Sequence, residues 1–130
     1  MRNPIFAALV LAAASASAAD SFDSRVAVAR KLEDAPDGQA YDRVLYGAIG
    51  NYIRDAMVEC FPDGVTRDTG SFTLVADIMA NGTATRVEVR PNTKMSACFR
   101  DKFAGAPFPA LPTYASADGL PIFIDMKITN

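Results

Sequence analysis

Histidine is absent from this chain, and so is tryptophan. Without histidine, the usual general base near neutral pH and the commonest metal ligand are both missing. The serines and threonines therefore lack the partner that most often activates such nucleophiles. Lys31, Lys94, Lys102 and Lys127 sit in no desolvating sequence context. The acid pairs Asp34/Asp37 and Asp63/Asp68 read as solvated loop carboxylates or helix caps. Gly64 and Gly70 lack the spacing of a phosphate-cradling loop, and no cluster has metal-ligand spacing. A formal charge of −2 offers no basic surface to nucleic acid or anionic lipid. These absences favour a binding protein over an enzyme, with no cofactor and no metal.

Long apolar runs are scarce as well. The one at the N-terminus has the form of a secretory signal over residues 1–18: Arg2 as a short positive region, an apolar stretch over 4–14, and the small-x-small site Ala16-Ser17-Ala18. An uncleaved anchor is the alternative, but a spanning helix needs about 20 apolar residues. No later segment is apolar enough to span a bilayer, which predicts no stable membrane insertion after signal removal and a periplasmic or secreted location. Cysteine occurs only twice, at Cys60 and Cys98, too far apart for a CxxC redox motif. An even count in an exported domain favours a disulfide over two buried thiols.

The remaining chain is long enough for one small domain. Residues 19–39 are ambiguous: 25–32 fits a short helix or a short strand, and Asp34, Pro36, Asp37 and Gly38 read as a loop. Residues 40–60 carry a helical stripe of Tyr41, Val44, Leu45, Ala48, Ile49, Tyr52, Ile53, Ala56, Met57 and Cys60, with Asp37 as a candidate cap. Gly47 and Gly50 interrupt it, which predicts close packing against another element. Asn81-Gly82 predicts a two-residue hairpin turn. That register pairs Ala80 with Thr83, Ile78 with Thr85, Ala76 with Val87 and Leu74 with Val89 on an apolar face. It sets Asp77 against Arg86, Val75 against Glu88 and Thr73 against Arg90 on the other. A second helix starts at Asn92 or Thr93 and ends near Gly105, with Met95, Cys98, Phe99, Lys102 and Phe103 on one side. Prolines 107, 109, 112 and 121 exclude helix from 106–121. Alternation over 120–129 closes the domain with a strand.

The predicted fold class is α+β in two layers, with helices on one face of a three-stranded antiparallel sheet, in the order α-β-β-α-β with one disulfide. Cys60 and Cys98 each lie on an apolar helix face, so helices sharing one side of the sheet could bring the sulfurs together. The opposite sheet face is either open or covered by residues 19–39.

Over 40–130, this order of elements resembles the C-terminal domain of TonB-type proteins, in the cysteine-paired form of AgmX and PglI-like proteins. The likeness is carried by the helix ending in Cys60, the hairpin segment 71–91, and Cys98 within SACFRDKF. Phe108-Pro109-Ala110-Leu111-Pro112 and the closing apolar strand complete it. The resemblance implies a protein or peptide partner in the cell envelope, held as an extended segment along the final strand. On this chain that strand offers Ile122, Phe123, Ile124, Asp125 and Lys127; Asp125 and Lys127 have the simpler alternative of keeping an edge soluble. An open sheet face would add Val75 and Met79 beside Phe123, rimmed by Arg86, Glu88 and Arg90. A second expectation is a small inhibitor or immunity-type protein that blocks an envelope enzyme through loops 63–70 or 107–112.

Overall fold

The computed structural model describes residues 21–62 and 70–128. The expected signal segment 1–18, most of loop 63–70 and the last two residues lie outside this description. Six elements follow in order: α1 (Phe22–Asp34), α2 (Pro36–Cys60), β1 (Ser71–Ile78), β2 (Ala84–Arg90), α3 (Lys94–Phe103) and β3 (Leu120–Lys127). The strands form one antiparallel sheet in the order β2-β1-β3. This is the α+β, two-layer arrangement, with α2 and α3 together on one sheet face. Among the described residues no helix is long and apolar enough to cross a membrane.

The shared face is built from period-2 alternation meeting helical stripes. Phe72, Leu74 and Ala76 from β1, Val89 from β2 and Leu120 and Ile124 from β3 are buried against Leu45, Ile49 and Ala56 of α2 and Phe99 and Phe103 of α3. Five phenylalanines run through this layer in a chain of alternating stacked and edge-on contacts. Phe61 meets Phe72 at 6.0 Å between ring centroids, Phe72 meets Phe99 at 5.5 Å, Phe99 meets Phe103 at 6.2 Å, and Phe103 meets Phe108 at 5.2 Å. Phe108 thereby ties the proline-rich connection to α3. Val44 and Ala48, expected in the buried stripe of α2, are exposed, so the stripe is narrower than the apolar residues implied. Space is open around Gly47 and Gly50: a Cβ at either would meet nothing within 4 Å. The expected close packing at these two positions is therefore absent.

Cys60 and Cys98 are joined, with Cα atoms 5.6 Å apart, inside the usual disulfide range. With a separation of 38 residues, loop closure contributes about 4 kcal/mol in the chain-entropy treatment. The neighbouring contacts have the same sense. The Tyr52 hydroxyl donates to the Lys102 carbonyl at 2.7 Å, a second donor beside the Gly105 amide at the end of α3. Lys102 also pairs with Glu59. At its start, α3 has a reciprocal cap: the Thr93 hydroxyl accepts from the Ser96 amide and the Ser96 hydroxyl from the Thr93 amide.

The hairpin departs from the expected register in two places that cancel. The Gly82 amide donates to the Met79 carbonyl at 3.0 Å, and the Met79 amide to the Thr83 carbonyl at 2.8 Å. The loop thus holds three residues rather than two, with Gly82 at φ 83° supplying the left-handed position such loops require. This moves Ile78 opposite Ala84 and Asp77 opposite Thr85. A bulge then gives β2 one extra residue, Arg86, at φ 49°. Beyond it the expected pairs return: Val75 with Glu88, Leu74 with Val89, Thr73 with Arg90.

Of the helix and the strand open to residues 25–32, the chain takes the helix, and the loop expected at Asp34, Pro36, Asp37 and Gly38 is instead helical on both sides of Ala35. Ser21 caps α1 through a bond from the Ser24 amide. Only Ala35 separates α1 from α2, and it is extended at φ −70°, ψ 150°. The cause is Pro36: its ring disfavours helical geometry in the residue before it, yet suits the first position of a helix. Hence α2 begins at Pro36 instead of residue 40, and Asp37 lies inside its first turn instead of capping it. The elbow is tight. A Cβ on Gly38 would fall 1.9 Å from the Leu32 carbonyl oxygen, so only glycine fits there.

Around this elbow, α1 crosses to the opposite sheet face, the one left open or covered in the sequence reading. It is covered. Arg25 is only 3% exposed. Its guanidinium donates to Glu88 at 2.9 Å and to the carbonyl of bulge residue Arg86 at 2.7 Å, and lies 3.7 Å from Asp77. Asp77 in turn accepts from Arg86 Nε at 2.6 Å. Farther along α1, Arg30 lies over the Phe123 ring at 4.5 Å and pairs with Asp125 at 3.6 Å. A buried ion network costs desolvation to form. Without Arg25, Asp77 keeps Arg86 and the part-exposed Glu88 keeps Arg90, but the guanidinium bonds to Glu88 and to the Arg86 carbonyl are lost, at a cost of about 2 kcal/mol. Arg25→Met is accordingly expected to lower unfolding free energy by about that amount. Urea titration of the oxidised protein would measure it, and a loss within 0.5 kcal/mol would place the hold on α1 elsewhere.

Candidate functional site

Because the sheet order is β2-β1-β3, one side of β3 has no strand beside it among the described residues. Which backbone groups face that side follows from the ladder. The Ile128 amide donates to the Gly70 carbonyl at 2.7 Å, and the register runs unbroken from Ser71/Lys127 to Ile78/Leu120. In an antiparallel pair, alternate residues exchange both of their bonds with the partner strand. Ile122, Ile124 and Met126 therefore turn N–H and C=O toward β1. Phe123 and Asp125 turn theirs outward, and Pro121 has no N–H to offer.

A groove of about 480 Å³, counting its open mouth, lies along this edge. Its walls are the end of α1, the first half of α2 and the start of β3. Leu32, Tyr41, Leu45, Tyr46, Tyr114 and Phe123 supply much of its apolar surface. The elbow sets the angle between the two helical walls, and Gly38 itself lines the groove. The lining, mostly apolar with a few polar side chains, is of the kind that seats a side chain.

Three of the predicted contact residues, Ile122, Phe123 and Ile124, come together in this groove. Ile124 presents little surface because its side chain belongs to the core. Asp125 and Lys127 do not line the groove. The Asp125 carboxylate accepts from the Thr73 hydroxyl at 2.6 Å and pairs with Arg30, and Lys127 is exposed beyond the groove's end. Val75 is fully buried on the face that α1 covers. Met79 is half-buried at the hairpin end, close to Gly119. The expected open patch of Val75, Met79 and Phe123 is thus no continuous surface.

Two groove residues carried no signal in the sequence. Glu33 fell in the ambiguous N-terminal segment, and Asp42 fell off the apolar stripe. Both are half-buried, and neither forms an ion pair with another described residue. Burial pushes the Glu33 carboxyl above its ordinary range, helped by the negative charges of Asp42, Asp34 and Asp125 and opposed by Arg30. Burial raises Asp42 too, opposed by Arg43. The phenols of Tyr41, Tyr46 and Tyr114 are likewise raised, chiefly by burial. The Tyr41 hydroxyl has no hydrogen-bond partner among the described residues. Nor do those residues include a group of three or more His, Cys, Asp or Glu able to hold a metal ion.

A carboxyl raised on folding binds its proton more tightly in the native state. Its contribution is then most favourable below the unfolded value and falls as pH rises toward the folded value. The double variant Glu33→Gln/Asp42→Asn is expected to be more stable than the parent at neutral pH. The difference should vanish below the ordinary carboxylate range. Thermal melts across pH 3–8 would show this as converging curves; parallel curves would contradict it.

In comparisons with known proteins, the chain matches no family model, no curated protein and no solved structure. The expected resemblance to TonB-type domains has no support from these comparisons.

Proposed function

We propose that this chain is an exported protein-binding or adaptor module that holds an extended segment of an envelope partner against the free edge of β3. The observation that carries the reading is the coincidence of two features along one strand. The outward N–H and C=O groups of Phe123 and Asp125 provide backbone partners for an added strand. The groove beside them provides an apolar seat for that strand's side chains. Natural sheets usually blunt such an edge; here the α1–α2 elbow flanks it and leaves it open to the groove. A disulfide suits an oxidising compartment, and the N-terminal signal pattern agrees with it.

Strand addition makes a specific demand on the test. Proline at Ile124 would remove a bond to β1 and disturb the core, so it cannot separate binding from folding. Phe123→Pro removes an outward N–H on an edge strand, where proline is tolerated. Peptides selected from a random library on the oxidised parent are expected to bind this variant at least about tenfold more weakly, because one edge hydrogen bond and the Phe123 side chain of the groove wall are lost. Phe123→Ala should lose less, since it keeps the N–H. Equal affinity for parent and Phe123→Pro, with both folded by circular dichroism, would remove the β3 edge as the binding site.

A further inference from the structure

Resting on that edge reading, we infer that the groove selects a partner segment carrying a basic side chain, lysine or arginine, which is received by Glu33, Asp42 and Tyr41. The two carboxylates line one apolar groove from different helices, Glu33 from the last turn of α1 and Asp42 from the early part of α2. No described cation is paired with either. Arg30, whose charge acts on Glu33, is engaged with Asp125 and with the Phe123 ring. Arg43 faces Asp42 electrostatically, but neither arginine lines the groove.

An independent observation points to the same ligand. Tyr41 is 7% exposed and lines the groove, yet its hydroxyl has no partner among the described residues. A buried hydroxyl left unsatisfied has lost its hydration without a replacement partner, which favours a ligand that supplies one. A phenol oxygen can accept from a cationic donor, and an ammonium brings three donors and no acceptor. Two acids and one unpartnered hydroxyl in an apolar enclosure thus match a cation on an aliphatic stem, the stem lying along apolar wall and the head on oxygen. An anionic side chain would meet two like charges there. An apolar one would leave the hydroxyl and both acids desolvated without partners.

The test uses the full disulfide-bonded protein and peptides selected on it from a random heptapeptide library. Selected peptides should be enriched in Lys or Arg at one position. Replacing that residue by norleucine or citrulline should weaken binding by about tenfold or more on the parent, the range of one charge-assisted hydrogen bond. On Glu33→Gln/Asp42→Asn, which relieves carboxylate repulsion rather than removing a fold contact, the same replacement should change affinity less than about twofold. Tyr41→Phe should weaken only the basic peptides. Peptides that bind at β3 with no basic preference, or an equal norleucine penalty on both proteins, would overturn this inference while leaving edge addition standing. Absence of any peptide binding sensitive to Phe123→Pro would overturn both.

Discussion

The buried guanidinium of Arg25 is the point on which this architecture turns. A three-stranded sheet with two helices on one side leaves its other side exposed, and α1 is too polar to cover it by hydrophobic burial alone. Arg25 supplies the missing hold by bonding three groups from two strands: the Glu88 carboxylate, the Asp77 carboxylate and the Arg86 carbonyl. The same contact accounts for the bulge. A left-handed backbone at a residue other than glycine is strained and persists where its surroundings over-determine it. Arg86 is fixed from both ends, its carbonyl by Arg25 and its side chain by Asp77.

From that hold the groove follows as a geometric consequence. With α1 fixed on one face and α2 packed on the other, the single extended residue between them must pass around an edge of the sheet. The edge it passes is β3, which has β1 on one side and, among the described residues, no strand on the other. Pro36 and Gly38 make so short a passage possible, one by starting a helix at once and the other by omitting a Cβ where there is no room for it. The disulfide clamps α2 to α3 at the far end of the same layer. The groove is therefore bounded by elements anchored independently of whatever fills it, which lowers the ordering cost of binding.

Much of this was legible from residue patterns, because the responsible forces are periodic. The stripe of α2, the alternation of β3, the capped start of α3 and the pairing of Leu74 with Val89 all follow from apolar surface seeking a shared interior. The N-terminal helix is legible only as one of two alternatives, because its buried stripe contains an arginine, which breaks the apolar period at the residue that matters most. The elbow was misread as a loop because proline and glycine signal turns far more often than the opening of a helix. The hairpin loop and the bulge each shift register by one residue in opposite senses, so the base of the hairpin matched while its tip did not. For the site, Ile122, Phe123 and Ile124 were visible as strand residues. Glu33, Asp42 and the lone Tyr41 hydroxyl belong together only once the chain has folded around the β3 edge.

Residue-resolved amide exchange on the free, oxidised protein tests the central claim most directly. A hold by Arg25 on one side and an unpaired β3 edge on the other predict slow exchange at Ile122, Ile124 and the central turns of α1, with fast exchange at Phe123 and Asp125. Slow exchange at Phe123 and Asp125 would mean that the edge is already occupied, and fast exchange throughout α1 would mean that the helix does not close the sheet.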